Sequence, residues 1–476
     1  MVDLLILHGT LLTMDHQRRI IHDGAIAIKK ERICDVGQAV DLETRYDAKR
    51  VVDATGKVVM PGLIDTHGHA GHSLLKTVAE NQGDDWIPIM ETFYKEATTP
   101  DFWYVDGLLA ALERIKFGTT CGLSYIGSCA RTDESVYALK HYEGAKKIGI
   151  RDVVAIGPGR PPYPNEYIKW HKETSQRIYA SFEDNLKVTE EIARKLKNTK
   201  DEKVDVVLSP PSLTVGSLTA AGKVQDFPDA LEKIENMKQV MKKGKLKLHT
   251  HAYSAQIKFA DEKLDILGPH VSLAHCTGLS DEEIQILARK DVKVCHSPSA
   301  RSIILSRCPV IELLDAGVTV AISTDGSAPD RTFDLFKELR QAMSVQRHFF
   351  KDENIMPPGK ALEMVTVDAA RTLGYEDDLG SLETGKIADI ILIDMLKPHL
   401  IPMFMIPHRI AYEVSGQDVD TVIVNGEVLM ENRQLSHIIE FDILNRAQEE
   451  AEKAIARGQL KQFLEIPEKF WGQTRY

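Results

Sequence analysis

The sequence predicts an α/β protein: a (β/α)8 barrel of the TIM type carrying a small composite β-sandwich built from both chain ends. Three observations predict it. From about residue 57 to 375, β-type apolar runs alternate with amphipathic helical segments, the pattern of parallel strands joined by crossover helices. The strand candidates in that stretch number eight, over roughly 300 residues. Outside it, short β-type runs return at residues 1–56 and 376–440, each too small to bury a sheet face alone.

In chain order, Leu4–Leu7, Gly24–Ile28, Arg32–Gly37 and Arg50–Asp53 read as short strands broken by turns. An apolar run from Val58 to Ile64 reads as one buried strand that opens the barrel. A helix is expected over 99–117, with Trp103, Leu108, Leu109, Leu112 and Ile115 on one face and Gly118 ending it. The remaining strands are expected near Leu123 and at 152–156, 204–208, 245–249, 270–274, 291–295 and 318–322. After Leu379 the β pattern resumes. Gly380 to Gly385-Lys386 has much of the spacing of a phosphate-binding loop, but Ile387 stands where Ser or Thr is required, so a plain turn is expected. A helical tail follows 440, read as a packing or dimer-contact helix, giving expected units of 1–56, 57–375, 376–440 and 441–476.

Composition narrows the partners. The chain has 476 residues, 43% of them hydrophobic and 27% charged, as in an ordinary globular protein. A net charge of -11 offers no positive field for a nucleic acid or an anionic membrane, which leaves a small-molecule substrate. No apolar run reaches membrane-spanning length, and the start of the chain lacks an export signal. The six cysteines, Cys34, Cys121, Cys129, Cys276, Cys295 and Cys308, form no Cys-x-x-Cys pair. Reduced thiols, a cytoplasmic location and a homo-oligomer are the expectations.

The chemistry begins at Asp65-Thr66-His67-Gly68-His69, with a further histidine at His72. Residues two apart on a strand point the same way, so His67 and His69 project together, as the first two ligands of a divalent metal require. Four later strand ends carry polar residues toward the same rim: His249-Thr250-His251, Ala274-His275-Cys276, Cys295-His296-Ser297 and Ser323-Thr324-Asp325-Gly326. Any one of these suits a loop cap, but their recurrence at successive strand ends favours a shared site.

These segments, together with Pro61-Gly62-Leu63-Ile64-Asp65 and Gly380-Ser381-Leu382-Glu383-Thr384-Gly385-Lys386-Ile387-Ala388-Asp389, resemble the amidohydrolase superfamily. The branch is the one holding cytosine, guanine and adenosine-type deaminases, triazine hydrolases and phenylurea hydrolases. The resemblance implies one divalent metal bound by His67, His69, His251 and Asp325, with His275 beside the metal's water. Zinc is the first choice for such a donor set, and iron, cobalt or nickel also suits it. In the implied scheme Asp325 takes the water's proton and His275 holds the oxyanion. The segment Leu208–Thr214 has no lysine or glutamate to bridge a second metal.

One departure sets the expected substrate. Deaminase-like members place a glutamate three positions after the strand-five histidine, where it protonates a ring nitrogen; here that position is Ser254. His249 or His296 is an alternative proton donor, and His249, on the face of His251, is read as support for a ligand. The expectation is therefore hydrolysis of an amide, urea or carbamate C–N bond. Deamination or dechlorination of a purine, pyrimidine or triazine ring is the enzymatic alternative, and a non-catalytic scaffold is the other. Ser254, His296, Gln82, Trp86 and Arg160 are the candidate substrate contacts, the last three on loops expected to overhang the rim.

Overall fold

The computed structural model describes residues 1–476 except 127–130, 173, 200, 216–226, 301–305, 467–469, 473 and 475–476. Cys129 lies outside the described residues. The chain opens with β1 (Val2–Leu12), β2 (Ile20–Lys29), β3 (Arg32–Gln38), β4 (Ala48–Asp53) and β5 (Lys57–Pro61). It closes with β16 (Ile390–Asp394), β17 (Val419–Val424), β18 (Glu427–Glu431) and β19 (Gln434–Leu435). These nine strands form one mixed sheet in the order β19-β18-β17-β16-β5-β1-β2-β3, with β4 paired to β1. The two chain ends meet where β16 runs antiparallel to β5, Leu392 opposite Val59. Leu4, Ile6, Ile26, Val59, Ile390, Leu392 and Ile423 form the core enclosed between them. The composite unit expected from the two chain ends is thus joined through the β5–β16 pair.

The Val58–Ile64 run divides into two strands. Lys57–Pro61 stays in the terminal sheet, while β6 (Leu63–His69) is the first barrel strand. Gly62 marks the crossing, because a Cβ there would sit 2.2 Å from the Thr120 hydroxyl. Only a residue without a side chain lets the backbone pass that close.

All eight barrel strands are present: β6, β7 (Thr119–Tyr125), β8 (Arg151–Ile156), β11 (Val204–Leu208), β12 (Lys247–Tyr253), β13 (Val271–Thr277), β14 (Lys293–His296) and β15 (Val320–Ile322). Every neighbouring pair in the order β6-β7-β8-β11-β12-β13-β14-β15 is parallel. The helix Pro100–Lys116 starts where the Thr99 hydroxyl accepts the Phe102 amide, with proline in its first turn. It buries Trp103, Leu108, Leu112 and Ile115. Ser181 and Ser280 open two further crossover helices, Phe182–Lys197 and Asp281–Arg289, with reciprocal capping boxes.

Two features exceed the sequence reading. The segment after Trp86 is a helix, Trp86–Ala97, and the long connection after β8 folds into a hairpin, β9 (Asn165–His171) with β10 (Thr174–Ala180). The hairpin is tied down by the Trp170 indole donating to the Glu96 carbonyl at 2.6 Å and by Arg131 donating to the Ile168 carbonyl at 2.8 Å. The Gly380–Lys386 segment is a turn whose lysine donates to the Glu376 and Leu379 carbonyls. The tail helix Glu440–Arg457 buries Ile443, Ala447, Ala454 and Ile455, and Arg457 anchors it on the Ala97 carbonyl. Among the described residues no helix is long and apolar enough to cross a membrane.

Candidate active site

The seam between β6 and β15 builds the centre of the site. Asp65 is fully buried; its carboxylate accepts the Thr324 amide at 3.1 Å, the Thr324 hydroxyl at 2.8 Å and Arg114 at 3.2 Å. One residue on, the Asp325 amide donates to the His67 carbonyl at 2.9 Å. Asp325 (φ 60°) and Gly326 (φ 97°) then turn left-handed, ending β15 at the rim. At the end of β13, His275 (φ 70°) and Cys276 (φ 47°) turn the same way. Left-handed backbone at non-glycine residues is costly, and it clusters where a fold has to aim a side chain.

The side chains converge on Asp325. Its Oδ1 lies 3.2 Å from His67 Nε2, 3.3 Å from His69 Nε2 and 3.7 Å from His275 Nε2. His251 Nε2 lies 3.3 Å from His69 Nε2. The ligand-type atoms of His67, His251, His275 and Asp325 all fall within 4.8 Å of one another, and all four residues are buried. That tightest set has His275 where the sequence reading placed His69, although His69 faces both Asp325 and His251.

Behind His67 runs a hydrogen-bonded line. His67 Nδ1 meets His249 Nε2 at 2.8 Å, and His249 Nδ1 meets Ser272 Oγ at 2.8 Å. With protons on both Nδ1 atoms, each histidine donates away from the rim and His67 presents a bare Nε2 to Asp325. The Leu208–Thr214 stretch braces the strand beside it: Ser209 Oγ donates to the His249 carbonyl at 2.6 Å and Leu213 N to the His251 carbonyl at 3.1 Å.

Burial sets the charges. It pushes His67 down to about 3, against the pull of the Asp325 carboxylate, and holds His251 and His249 well below the ordinary imidazole value. These rings are neutral at physiological pH, the form that coordinates metal. Burial opposes ionisation of Asp325, but the neighbouring His275 and Arg331, and the close approach of His67 and His69, hold its carboxylate well below the usual range.

The remaining candidates spread out. Ser254 is exposed, its amide on the Thr277 carbonyl at 3.1 Å, and no carboxylate joins the convergent cluster besides Asp325 among the described residues. His296 is buried, its Nε2 without a hydrogen-bond partner, and burial, then His275 and Arg307, push it down to about 3. Trp86 donates to the Val78 carbonyl at 3.1 Å and stands edge-on to His72 at 5.5 Å. Half-buried Gln82 donates its backbone N–H to the Ala79 carbonyl, and Arg160 pairs with Glu91 at 2.6 Å.

The sequence reading left out Tyr125, whose ring packs edge-on against His67, His69 and His251, and the Asp65–Arg114 pair. Tyr125 ends β7, so the strand-end rule applied to His67 would also have found it. Arg331 also closes on the centre: its side chain is 6% exposed and its Nη2 is 3.4 Å from Asp325 Oδ2. A cavity of about 390 Å³ opens at the opposite end of the barrel beside Lys247, His270 and Lys293. Its lysines are spent on the Leu373 and Asp291 carbonyls, as befits the face of a barrel that supports stability.

A parallel barrel whose carboxyl-terminal rim gathers buried neutral histidines round one aspartate defines a barrel hydrolase. The chain belongs to the amidohydrolase family, whose sequence profile matches residues 58–429. It is 30% identical over 473 residues to a 5'-deoxyadenosine deaminase of Methanosarcina mazei, covering 96% of this chain and 99% of that one. It is 29% identical to a 5-methylthioadenosine/S-adenosylhomocysteine deaminase of Syntrophobacter fumaroxidans, covering 93% and 96%. Among solved structures it resembles an adenosine deaminase from Xanthomonas campestris with bound zinc, with a TM-score of 0.80, 22% identity, and 96% and 99% coverage. It also resembles atrazine chlorohydrolase TrzN from Arthrobacter aurescens TC1 complexed with zinc, with a TM-score of 0.76, 22% identity, and 94% and 100% coverage.

Proposed function

We propose that this enzyme hydrolyses a non-peptide C–N bond of the amide, urea or carbamate type in a small molecule, with one divalent metal held by His67, His69, His251 and Asp325. The donor set suits that ion. His69 Nε2 and His251 Nε2 stand 3.3 Å apart, and two neutral imidazole lone pairs repel at that distance unless a cation or proton lies between them. A bound zinc-type ion supplies Lewis acidity and brings the pKa of a water to about 7. Asp325 receives the water's proton and returns it to the leaving nitrogen. His275, aimed at the same centre, stabilises the oxyanion of the attacked carbonyl. The His249–Ser272 line fixes His67 in the tautomer that coordinates.

The observation that carries the acyl reading is Ser254. A ring nitrogen losing aromaticity needs a proton donor beside it, and the residue at this position is an exposed hydroxyl without acid strength. An acyl carbonyl puts its developing charge on oxygen, where the metal and His275 already stand. The deaminase relatives favour a second reading, removal of ammonia from an adenine-type ring, with buried His296 as the donor. A panel on metal-replete protein separates the two by product: aniline from anilides and phenylureas against ammonia from 5'-deoxyadenosine. Faster ammonia release by the wild-type protein would overturn the acyl reading. Ser254→Glu is expected to gain ring deamination and lose acyl hydrolysis.

We also place the enzyme in the cytoplasm as a homo-oligomer. The free thiols of Cys34, Cys121, Cys276, Cys295 and Cys308 and the exposed apolar side chains of Leu396, Phe404 and Met405 support that placement. Sedimentation at the mass of one chain would remove the oligomer.

A further inference from the structure

His67 is held by the line through His249 and Ser272, but among the described residues no hydrogen bond reaches Nδ1 of His69. What backs His69 is a ring. Buried His72 lies parallel to it, with 4.8 Å between centroids and 12° between planes, and Trp86 meets His72 edge-on at 5.5 Å. His72 Nδ1 has no hydrogen-bond partner, so the turn that carries the ring sets its place. One side chain fixes that turn. Asp106, fully buried in the helix Pro100–Lys116, accepts the Gly71 amide on Oδ2 at 2.6 Å and the Ser73 amide on Oδ1 at 2.9 Å, the two amides that flank His72. His141, buried in the helix Val136–Ile148, brings Nδ1 within 3.1 Å of the same Oδ2. The two helices cross in backbone contact: a Cβ at Gly107 would lie 2.1 Å from the His141 carbonyl oxygen, and one at Gly144 2.2 Å from that of Tyr104. The carboxylate therefore stands at a fixed depth.

We infer that Asp106 is a positioning residue of the metal site, acting through the turn at 71–73 and the His72 ring to hold His69 at the ion. This rests on the reading of His69 as a ligand and adds what orients that ligand. A carboxylate is a costly acceptor to bury, but its charge makes both amide bonds short and directional. Without it two buried amides lose their acceptor, the turn relaxes, and His69 loses the ring that backs it. A carboxylate that served only to join the helices to the barrel would contribute stability and leave the affinity for metal alone.

The test measures zinc dissociation constants by competition with a chelator, and the visible spectrum of the cobalt-loaded protein, which follows ligand geometry, so neither readout needs turnover. Asp106→Asn, Asp106→Ser and His72→Leu are each expected to weaken zinc binding roughly 10-fold and to alter the cobalt bands. Two variants at Asp106 guard against one that fails to fold. Asp106→Asn combined with His72→Leu is expected to lose about 10-fold in all, not about 100-fold, because both changes cut the same path. Asp334 is the comparison: as deeply buried, its carboxylate accepts the Phe336 and Gly416 amides, both at 3.1 Å, and no residue of the turn. Asp334→Asn is expected to lower the urea midpoint and keep wild-type zinc affinity. Wild-type affinity in both Asp106 variants, losses that multiply in the double variant, or equal weakening by Asp334→Asn overturns the inference. His69→Ala separates the failures. Wild-type affinity there removes His69 from the ligand set and the inference with it, whereas lost affinity there beside unchanged Asp106 variants overturns the inference alone.

Discussion

At the scale of single residues, the site depends on side chains whose charge or tautomer is set by a neighbour. His67 can offer a bare Nε2 only if its Nδ1 proton has an acceptor, and His249 is that acceptor. Replacing His249 by glutamine, or Ser272 by alanine, is expected to weaken zinc binding roughly 10- to 100-fold. Competition with a chelator of known affinity checks it; unchanged affinity in both variants would remove the line from the account. Arg331 stands to Asp325 Oδ2 as His67, His69 and His275 stand to Oδ1. Removing the guanidinium leaves a carboxylate in a nearly closed site without its permanent counter-charge. Arg331→Met is therefore expected to destabilise the metal-free protein by about 3 kcal/mol in urea unfolding. Arg331→Lys keeps the charge and should recover much of that loss.

At the scale of elements, the crossing between the two sheets turns on one position. Gly62 passes so close to Thr120 that a methyl group would overlap its hydroxyl and its γ-carbon. Gly62→Ala is expected to cost about 1–3 kcal/mol, because β5 and β6 belong to different sheets and neither can shift alone. The urea midpoint measures it, and a wild-type midpoint would mean the crossing has slack. The existence of each barrel strand was legible in short apolar runs, since a buried parallel strand is apolar on both faces. The β9–β10 hairpin was not: Asn165–His171 and Thr174–Ala180 are largely half-buried or exposed and carry no apolar alternation. Their pairing depends on Arg131 and Trp170 contacts made far away in sequence. The Val58–Ile64 run was read as one strand for a related reason, because a continuous apolar run does not reveal which sheet each half enters.

At the scale of the whole molecule, burial of so many titratable groups predicts how stability follows pH in metal-stripped protein. His67, His249 and His251 have folded-state values below 6.5, near 3 for His67. The unfolded chain therefore binds protons that the folded one refuses, and stability present above pH 6.5 is lost as pH falls toward 3. Glu338, buried against Ser299, is raised by its burial to about 8. Its contribution has the opposite sign: full below pH 4.5, lost as pH rises toward 8. Maximum stability is expected between pH 6 and 7, measured by urea midpoints from pH 4 to 9. Glu338→Gln should flatten the alkaline side and steepen the rise between pH 4.5 and 6.5, leaving the profile below pH 4.5 unchanged; an unchanged alkaline slope would show that Glu338 does not titrate there.

The sequence by itself determined the strand repeat of the barrel, the union of both chain ends in one composite β unit, and the placing of His67, His69, His251, His275 and Asp325 at strand ends. Those properties follow from local periodicity and from the rule that successive parallel strands end on the same side. Only the tertiary structure decided which atoms face one another: Asp65 locking the β6–β15 seam, Arg331 closing on Asp325, Ser272 reaching His67 through His249, and Asp106 holding the turn that carries His72. Such contacts join residues up to about 260 positions apart, such as Asp65 and Thr324. Barrel closure, a non-local event, sets their distances, and no period in the chain encodes it.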